Sequence, residues 1–174
     1  MKPEKLMLIN SVTILIMNNI IGSIQKIDLK DIDENNFSPR HVGCIVLSHD
    51  NKIVLQQRDQ DAYTFPNCLA TFGGRIEESE NPMDALVREL NEELGAKVDE
   101  KNVISLGTII EHDGNNKTLI YVYFWQDKEN TITGCYEGEA RYYENKEAAF
   151  AHPKIMEDVK WLLFECDRRG FFKK

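Results

Sequence analysis

The chain has 174 residues, with 29 acidic against 21 basic side chains and a formal charge of −8. That length suits one domain with a sizeable core, and that charge argues against nucleic-acid or anionic-membrane binding driven by a basic surface. Cys44, Cys68, Cys135 and Cys166 form neither a CxxC pair nor a zinc-ligand spacing, so reduced thiols in a cytoplasmic protein are expected.

Residues 6–25 carry no charge and follow Lys2 and Lys5. Polar residues such as Asn10, Thr13, Asn18 and Asn19 interrupt the run, which falls short of the roughly 20 apolar residues that span a membrane. No small-x-small cleavage site follows. The β-branched content on either side of Asn18 and Asn19 predicts a hairpin, residues 12–17 against 20–24. Appended strands of this kind offer a homodimer contact. Residues 28–39 read as a polar connector, so residues 1–37 are expected to form an N-terminal extension and residues 38–174 the main domain.

Residues 41–48 and 52–57 are predicted strands around a turn. Asn81 then offers an N-cap, Pro82 a first helical position and Asp84 a first-turn acid, with Gly95 as the stop. The spacing predicts a helix over 82–94, with Met83, Leu86, Leu90 and Leu94 on its buried face. Residues 103–111 and 117–127 make a second strand pair, of which 121–125 has core-strand composition. Residues 146–151 and 154–169 are helical candidates, the second striped by Met156, Val159, Leu162, Leu163 and Cys166. This order of elements predicts an α+β fold, a mixed sheet between helices.

Within the first helix, Glu89, Glu92 and Glu93 stand at i, i+3 and i+4, on one face. Three such carboxylates repel each other unless a cation sits among them, and oxygen-only ligands suit Mg²⁺ or Mn²⁺ rather than zinc. Residues 77–100 hold nine acidic residues against Arg88 and Lys97, a net of −7, so nearly the whole excess charge lies here. A polyanionic substrate needs divalent metal to approach such a segment. Just upstream, Gly73 and Gly74 allow the backbone to come close to the same site.

Gly74, Glu80, Arg88, Glu89, Leu90, Glu92, Glu93, Gly95 and Ala96 fit the pattern G-x5-E-x7-R-E-U-x-E-E-x-G-U, where U is aliphatic. At average residue frequencies such a match arises by chance on the order of once in ten million chains of this length. The pattern is the Nudix box, and the chain resembles the Nudix hydrolases, which cleave nucleoside diphosphates linked to another group. The resemblance covers roughly residues 38–169. It implies an α/β/α sandwich with the box as loop–helix–loop, Mg²⁺ or Mn²⁺ as cofactor, and water attack on a diphosphate bridge. It also implies roles for single residues. Glu92 and Glu93 become metal ligands together with the carbonyl of Gly73, and Glu89 a ligand or general base. Arg88 orients the carboxylates, Glu80 pairs with Arg88, and Gly74 and Gly95 are structural. Some members carry a further catalytic Glu on a late loop, and Glu137 and Glu139 are the candidates here. Ser79 and Ala96 depart from common family choices without removing a ligand.

For the substrate, Arg58, Arg75 and Arg141 are candidate phosphate contacts. Phe65, Phe72, Tyr123 and Trp125 are candidate base-stacking residues, with core packing as the competing role. His41 and His152 are further possible contacts. No proline lies between Pro82 and Pro153, so the downstream proline typical of ADP-ribose hydrolases is missing. Nucleoside triphosphates, including damaged ones, are the leading expectation and nucleotide sugars the next. A non-catalytic nucleotide-sensing module is the third, although its box would usually have lost glutamates, which this one keeps. The acidic charge disfavours an mRNA-decapping role.

Overall fold

The computed structural model describes residues 20–21, 23–113 and 116–172. Eight strands form one sheet: β1 (Ile20–Ile21), β2 (Ile24–Ile27), β3 (Arg40–Leu47), β4 (Ile53–Gln57), β5 (Leu69–Ala70), β6 (Val103–Asp113), β7 (Asn116–Gln126) and β8 (Glu139–Tyr143). Their order is β1-β2-β6-β7-β3-β4-β5, with β8 also on β4. β3 and β7 pair in parallel and the other pairs are antiparallel, so the sheet is mixed. One edge of β4 is shared, β3 taking residues 53–54 and β5 residues 56–57, while β8 pairs along the whole of the other edge.

Helices α1 (Pro82–Leu94), α2 (Lys146–Phe150) and α3 (Glu157–Arg168), with short 3-10 turns at Leu29–Asp31, Glu34–Asn36 and Glu100–Asn102, complete the described elements. Strand alternation sorts the core into two layers. Cys44, Val46, Val54, Tyr121, Tyr123 and Trp125 pack with Leu86, Leu90 and Leu94 of α1. Their neighbours Ile45, Leu47, Ile53, Leu55, Val122 and Phe124 pack with Val159, Leu162, Leu163 and Cys166 of α3. The result is the α/β/α sandwich that the sequence pattern implies. Each fully buried leucine of α1 contributes about 2–5 kcal/mol against truncation to alanine.

Several details differ from expectation. Ile20–Ile21 pairs back on Ile24 and Gln25, so residues 20–24 are not one strand; Ser23, a turn-favouring residue, lies in a turn just before β2. The hairpin's first strand and its turn at 18–19 lie outside the described residues. β2 runs along β6 from Ile24↔Glu111 to Ile27↔Thr108, which brings part of the N-terminal segment into the common sheet. The last helix begins at Glu157, not at residue 154, because Lys154 and Met156 spend their backbone groups on Leu69: its amide donates to the Lys154 carbonyl at 2.9 Å and its carbonyl accepts from Met156 at 3.0 Å.

Among the described residues no helix is long and apolar enough to cross a membrane. All four cysteines are free, Cys44 and Cys166 buried.

In the first turn of α3, Asp158 is buried, and its Oδ1 has no hydrogen-bond partner among the described residues. Burial, with a smaller contribution from Glu157, pushes its carboxyl up to about 6. An acid whose folded pKa lies above its unfolded value favours the folded state only while protonated. Stability is therefore expected to fall as pH rises from about 4 to about 6 and then level off. Asp158→Asn is expected to flatten that fall and raise stability at pH 7 by about 2 kcal/mol, read from urea denaturation at a series of pH values.

Candidate active site

The box helix starts and stops where its sequence says. The Asn81 side chain accepts from the amides of Met83 and Asp84 at 2.9 and 3.0 Å, which satisfies two free N–H groups of the first turn. At the other end the Gly95 amide donates to the Asn91 carbonyl at 2.8 Å. Between these caps the three glutamates share a face but differ in depth. Glu93 is buried at 3% exposure, Glu89 is half-buried, and the Glu92 side chain is 59% exposed.

Beside them runs the stretch from Phe72 to Ile76, laddered onto β3. The Phe72 carbonyl accepts from Cys44, the Gly74 carbonyl from Val42, and the Ile76 amide donates to Arg40. Gly73, lying between, donates its amide to Glu93 Oε2 at 2.8 Å. Only glycine fits there, since its φ is +132° and a Cβ would lie 2.3 Å from the Val42 carbonyl oxygen. A Cβ on Gly74 would meet Glu89 Oε1 at 2.5 Å, so the second glycine is what lets the loop touch the helix carboxylates.

Gln56 of β4, itself buried, donates Nε2 to Glu93 Oε1 at 2.8 Å and to the Glu137 carbonyl at 3.2 Å. Glu93 is thus gripped at both oxygens. Even so, burial pushes its carboxyl up to about 8, and the charges of Glu137 and Glu89 push the same way against the Gly73 and Gln56 hydrogen bonds. Burial also raises Glu89, opposed by Arg88 and reinforced by Glu92 and Glu137.

Arg88 is the cation of the cluster. Its Nε and Nη2 donate to the two oxygens of Glu80, each at 3.0 Å, a bidentate pair. Nη1 donates to Glu89 at 2.8 Å and Glu92 at 3.3 Å, and Nη2 also to the Arg75 carbonyl at 2.9 Å. The Arg88 hydrogen bonds hold the Glu80 carboxyl below its ordinary value. Glu80 in turn accepts from the Glu77 amide at 3.0 Å, so the pair ties the loop before the helix to the helix.

Glu137 stands close enough to Glu93 and Glu89 to raise both, and its carboxylate lies 3.9 Å from Arg58. Glu139 opens β8 opposite Gln57 instead of sitting on a loop, because the chain there pairs with β4. Arg58 and Arg141 line one cavity. Arg75 is not among its lining residues; it ladders with His41 and gives its carbonyl to Arg88. Of the four aromatic candidates, Phe72, Tyr123 and Trp125 are buried in the core, while Phe65 is exposed. Sequence reading passed over Gln56. Its signal was a polar side chain two residues after Val54, on the strand face that looks toward α1.

Among the described residues, no three His, Cys, Asp or Glu side chains are gathered as a ready cation cage; Arg88 supplies positive charge beside Glu89 and Glu92. The donor set nonetheless fits a hard divalent cation. Glu89, Glu92 and Glu93 offer only oxygen, and the raised carboxyls of Glu89 and Glu93 mark a place where a nearby positive charge lowers the free energy.

A family model described as the NUDIX domain matches residues 38–163, and the chain belongs to that family. An RNA pyrophosphohydrolase of Pseudomonas putida is 37% identical over 75 residues, 42% of this chain and 43% of that protein; the match thus spans less than half the length of the curated relative. Among solved structures, the MutT protein of Methanosarcina mazei superposes with a TM-score of 0.63 at 17% identity, over 78% of this chain and 96% of the other. A pyrophosphohydrolase of Bacillus subtilis gives 0.61 at 21% identity, over 86% and 92%. At these identities the two structures establish the shared fold.

Gly73→Ala is expected to destabilise the protein by about 2–4 kcal/mol, since it adds both left-handed strain and a backbone overlap. Chemical denaturation measures the loss, and an unchanged midpoint would contradict the close approach.

Proposed function

We propose that the chain hydrolyses the diphosphate bridge of a nucleoside diphosphate linked to a further group, with Mg²⁺ or Mn²⁺ as cofactor. The observation that carries this reading is Glu93: a buried carboxylate, gripped at both oxygens, facing Glu89 and Glu137 with too little positive charge nearby to hold it ionised. Glu89, Glu92, Glu93 and the Gly73 carbonyl would hold the metal. When bound, it would neutralise phosphate oxygens and sharpen the water nucleophile.

This chain's residues supply the rest. Gln56 and the Gly73 amide fix Glu93 in one orientation. Arg88, clamped by Glu80, holds Glu89 and Glu92 in place. Glu89 or Glu137 would take the proton of the attacking water, both being carboxylates at the edge of the centre. Arg58 and Arg141 would hold phosphate oxygens, and Arg75 is a further candidate from the opposite side of the glycine turn. Nucleoside triphosphates, including damaged ones, are the leading substrates and nucleotide sugars the alternative. The free cysteines fit a reducing, cytoplasmic compartment.

A second reading is favoured by the 75-residue similarity to an RNA pyrophosphohydrolase: the 5′ end of an RNA as substrate. With a net charge of −8 such contact would be confined to the RNA end. Tight, salt-sensitive retention on an RNA column would favour it, and weak retention at low salt would count against it.

Phosphate and pyrophosphate release decides among these. The panel comprises nucleoside triphosphates, oxidised nucleotides, nucleotide sugars and a 5′-triphosphorylated oligoribonucleotide, each with Mg²⁺ and with Mn²⁺. We expect turnover of one class, abolished by chelator and reduced by on the order of 100-fold or more in Glu93→Gln. No turnover, combined with metal-dependent nucleotide binding, would replace the hydrolase by a sensing module.

A further inference from the structure

The loop that carries Glu137 is tied to the end of the box helix. After β7 the chain crosses the C-terminus of α1, where the Leu94 carbonyl accepts from the Thr133 and Gly134 amides at 3.0 and 3.4 Å. The Glu93 carbonyl accepts from the Tyr136 amide at 2.8 Å. These bonds satisfy carbonyls that a helix end leaves free. The Thr133 and Tyr136 hydroxyls share a further bond at 3.0 Å. Gly95 makes room for them, since a Cβ there would overlap the Thr133 hydroxyl and lie 3.1 Å from the Tyr136 ring.

Beyond Tyr136 the loop closes on β4. The Glu137 carbonyl accepts from Gln56 Nε2 and from Cys135 Sγ, each at 3.2 Å. Gly138 follows with a φ of +66°, and a Cβ on it would lie 2.5 Å from the Gln57 carbonyl oxygen. The Glu137 carboxylate itself is 62% exposed and lies 3.9 Å from Arg58, too far for a hydrogen bond. Its place beside Glu93 and Glu89 is therefore set by its backbone.

Gln56 holds that backbone and the buried glutamate with one nitrogen. A side-chain amide nitrogen carries two hydrogens. Gln56, 1% exposed, spends one on Glu93 Oε1 at 2.8 Å and the other on the Glu137 carbonyl. Arg58 Nη1 donates to Gln56 Oε1 at 3.4 Å, which fixes which end of the amide faces the carboxylate. Because the amide is planar, its two acceptors cannot move apart without losing a bond.

We propose that Gln56 is a positioning residue that acts through Glu137: it sets where the Glu137 carboxylate stands against Glu93. This role rests on the hydrolase reading, in which Glu137 is a candidate for taking the proton of the attacking water. It goes beyond the hold on Glu93, which by itself would leave the Glu137 loop to the box helix alone.

A double-mutant cycle tests it, run at saturating Mg²⁺ on whichever substrate the turnover panel identifies. Gln56→Met keeps the length of the side chain and removes the donor. Gly138→Ala displaces Glu137 from the other side without touching Glu93. Glu137→Gln and Gly138→Ala are each expected to lower kcat by about tenfold or more, and Gln56→Met, which loses both holds, by about 100-fold. In the Glu137→Gln background Gly138→Ala is expected to cost less than about threefold and Gln56→Met about tenfold, because the group they position is already gone. A merely structural role would multiply the losses instead. Equal factors in the two backgrounds for either substitution, or full activity in Glu137→Gln or Gln56→Met, would overturn the proposal. Hydrogen exchange followed by NMR gives a readout without turnover. In Gln56→Met the Tyr136 amide is expected to exchange on the order of tenfold faster while the β6 and β7 amides keep their rates. Equal rates at Tyr136, or equal acceleration throughout, would count against the positioning. A chain that turned over no substrate yet showed the local acceleration would lose the hydrolase and keep the hold of Gln56 on the loop.

Discussion

Everything around the centre depends on keeping one carboxylate out of water. Glu93 lies buried against β4 with both oxygens bonded, one to the Gly73 amide and one to Gln56. Two neutral donors do not offset desolvation, and its carboxyl stays far above the ordinary range. The three groups come from three places, the box helix, the glycine turn and β4, so the same side chain that carries the unfavourable burial also cross-links them. A residue kept there for packing alone would be a leucine, as its neighbours Leu90 and Leu94 are. So unfavourable a burial is what the proposed chemistry, rather than packing, would require of the position.

Arg88 plays the complementary part. In one segment with a net charge of −7, it is, among the described residues, the cation paired with Glu80, Glu89 and Glu92 together. Its bidentate hold on Glu80 fixes the guanidinium, and the fixed guanidinium then sets the spacing of the helix carboxylates. A lysine could neutralise one of these partners but could not reproduce the fork. The order of the box, with the first glutamate eight residues before the arginine, places Glu80 in the loop so that the clamp bridges loop and helix.

Much of this could be read from the sequence. The box helix appears at its expected bounds because caps, proline, glycine and a 3.6-residue stripe all agree. The long strands β3, β6 and β7 appear because their apolar runs exceed what a loop can hold. The short elements were not legible. β5 has two residues and β8 is a half-exposed strand of mixed composition, so both owe their pairing to β4 rather than to local preference. Residues 154–156 continue a helical pattern and lose it to backbone bonds with Leu69. Within the site, the glutamates, Arg88 and the glycines stood out by spacing. Gln56 did not, since a single glutamine in a strand carries no pattern, and the cavity wall joins residues far apart along the chain.

The small strand β5 has one consequence for how force passes through the molecule. It sits between two partners, β4 on one side and the bond pair from Lys154 and Met156 on the other, and it leads within a few residues to Gly73. The stretch before the last helix therefore acts as a buttress. It gives no side chain to the glutamate cluster, yet it braces the ribbon from which the glycine turn is hung. The rigidity of the centre is thus lent to it from the far end of the chain.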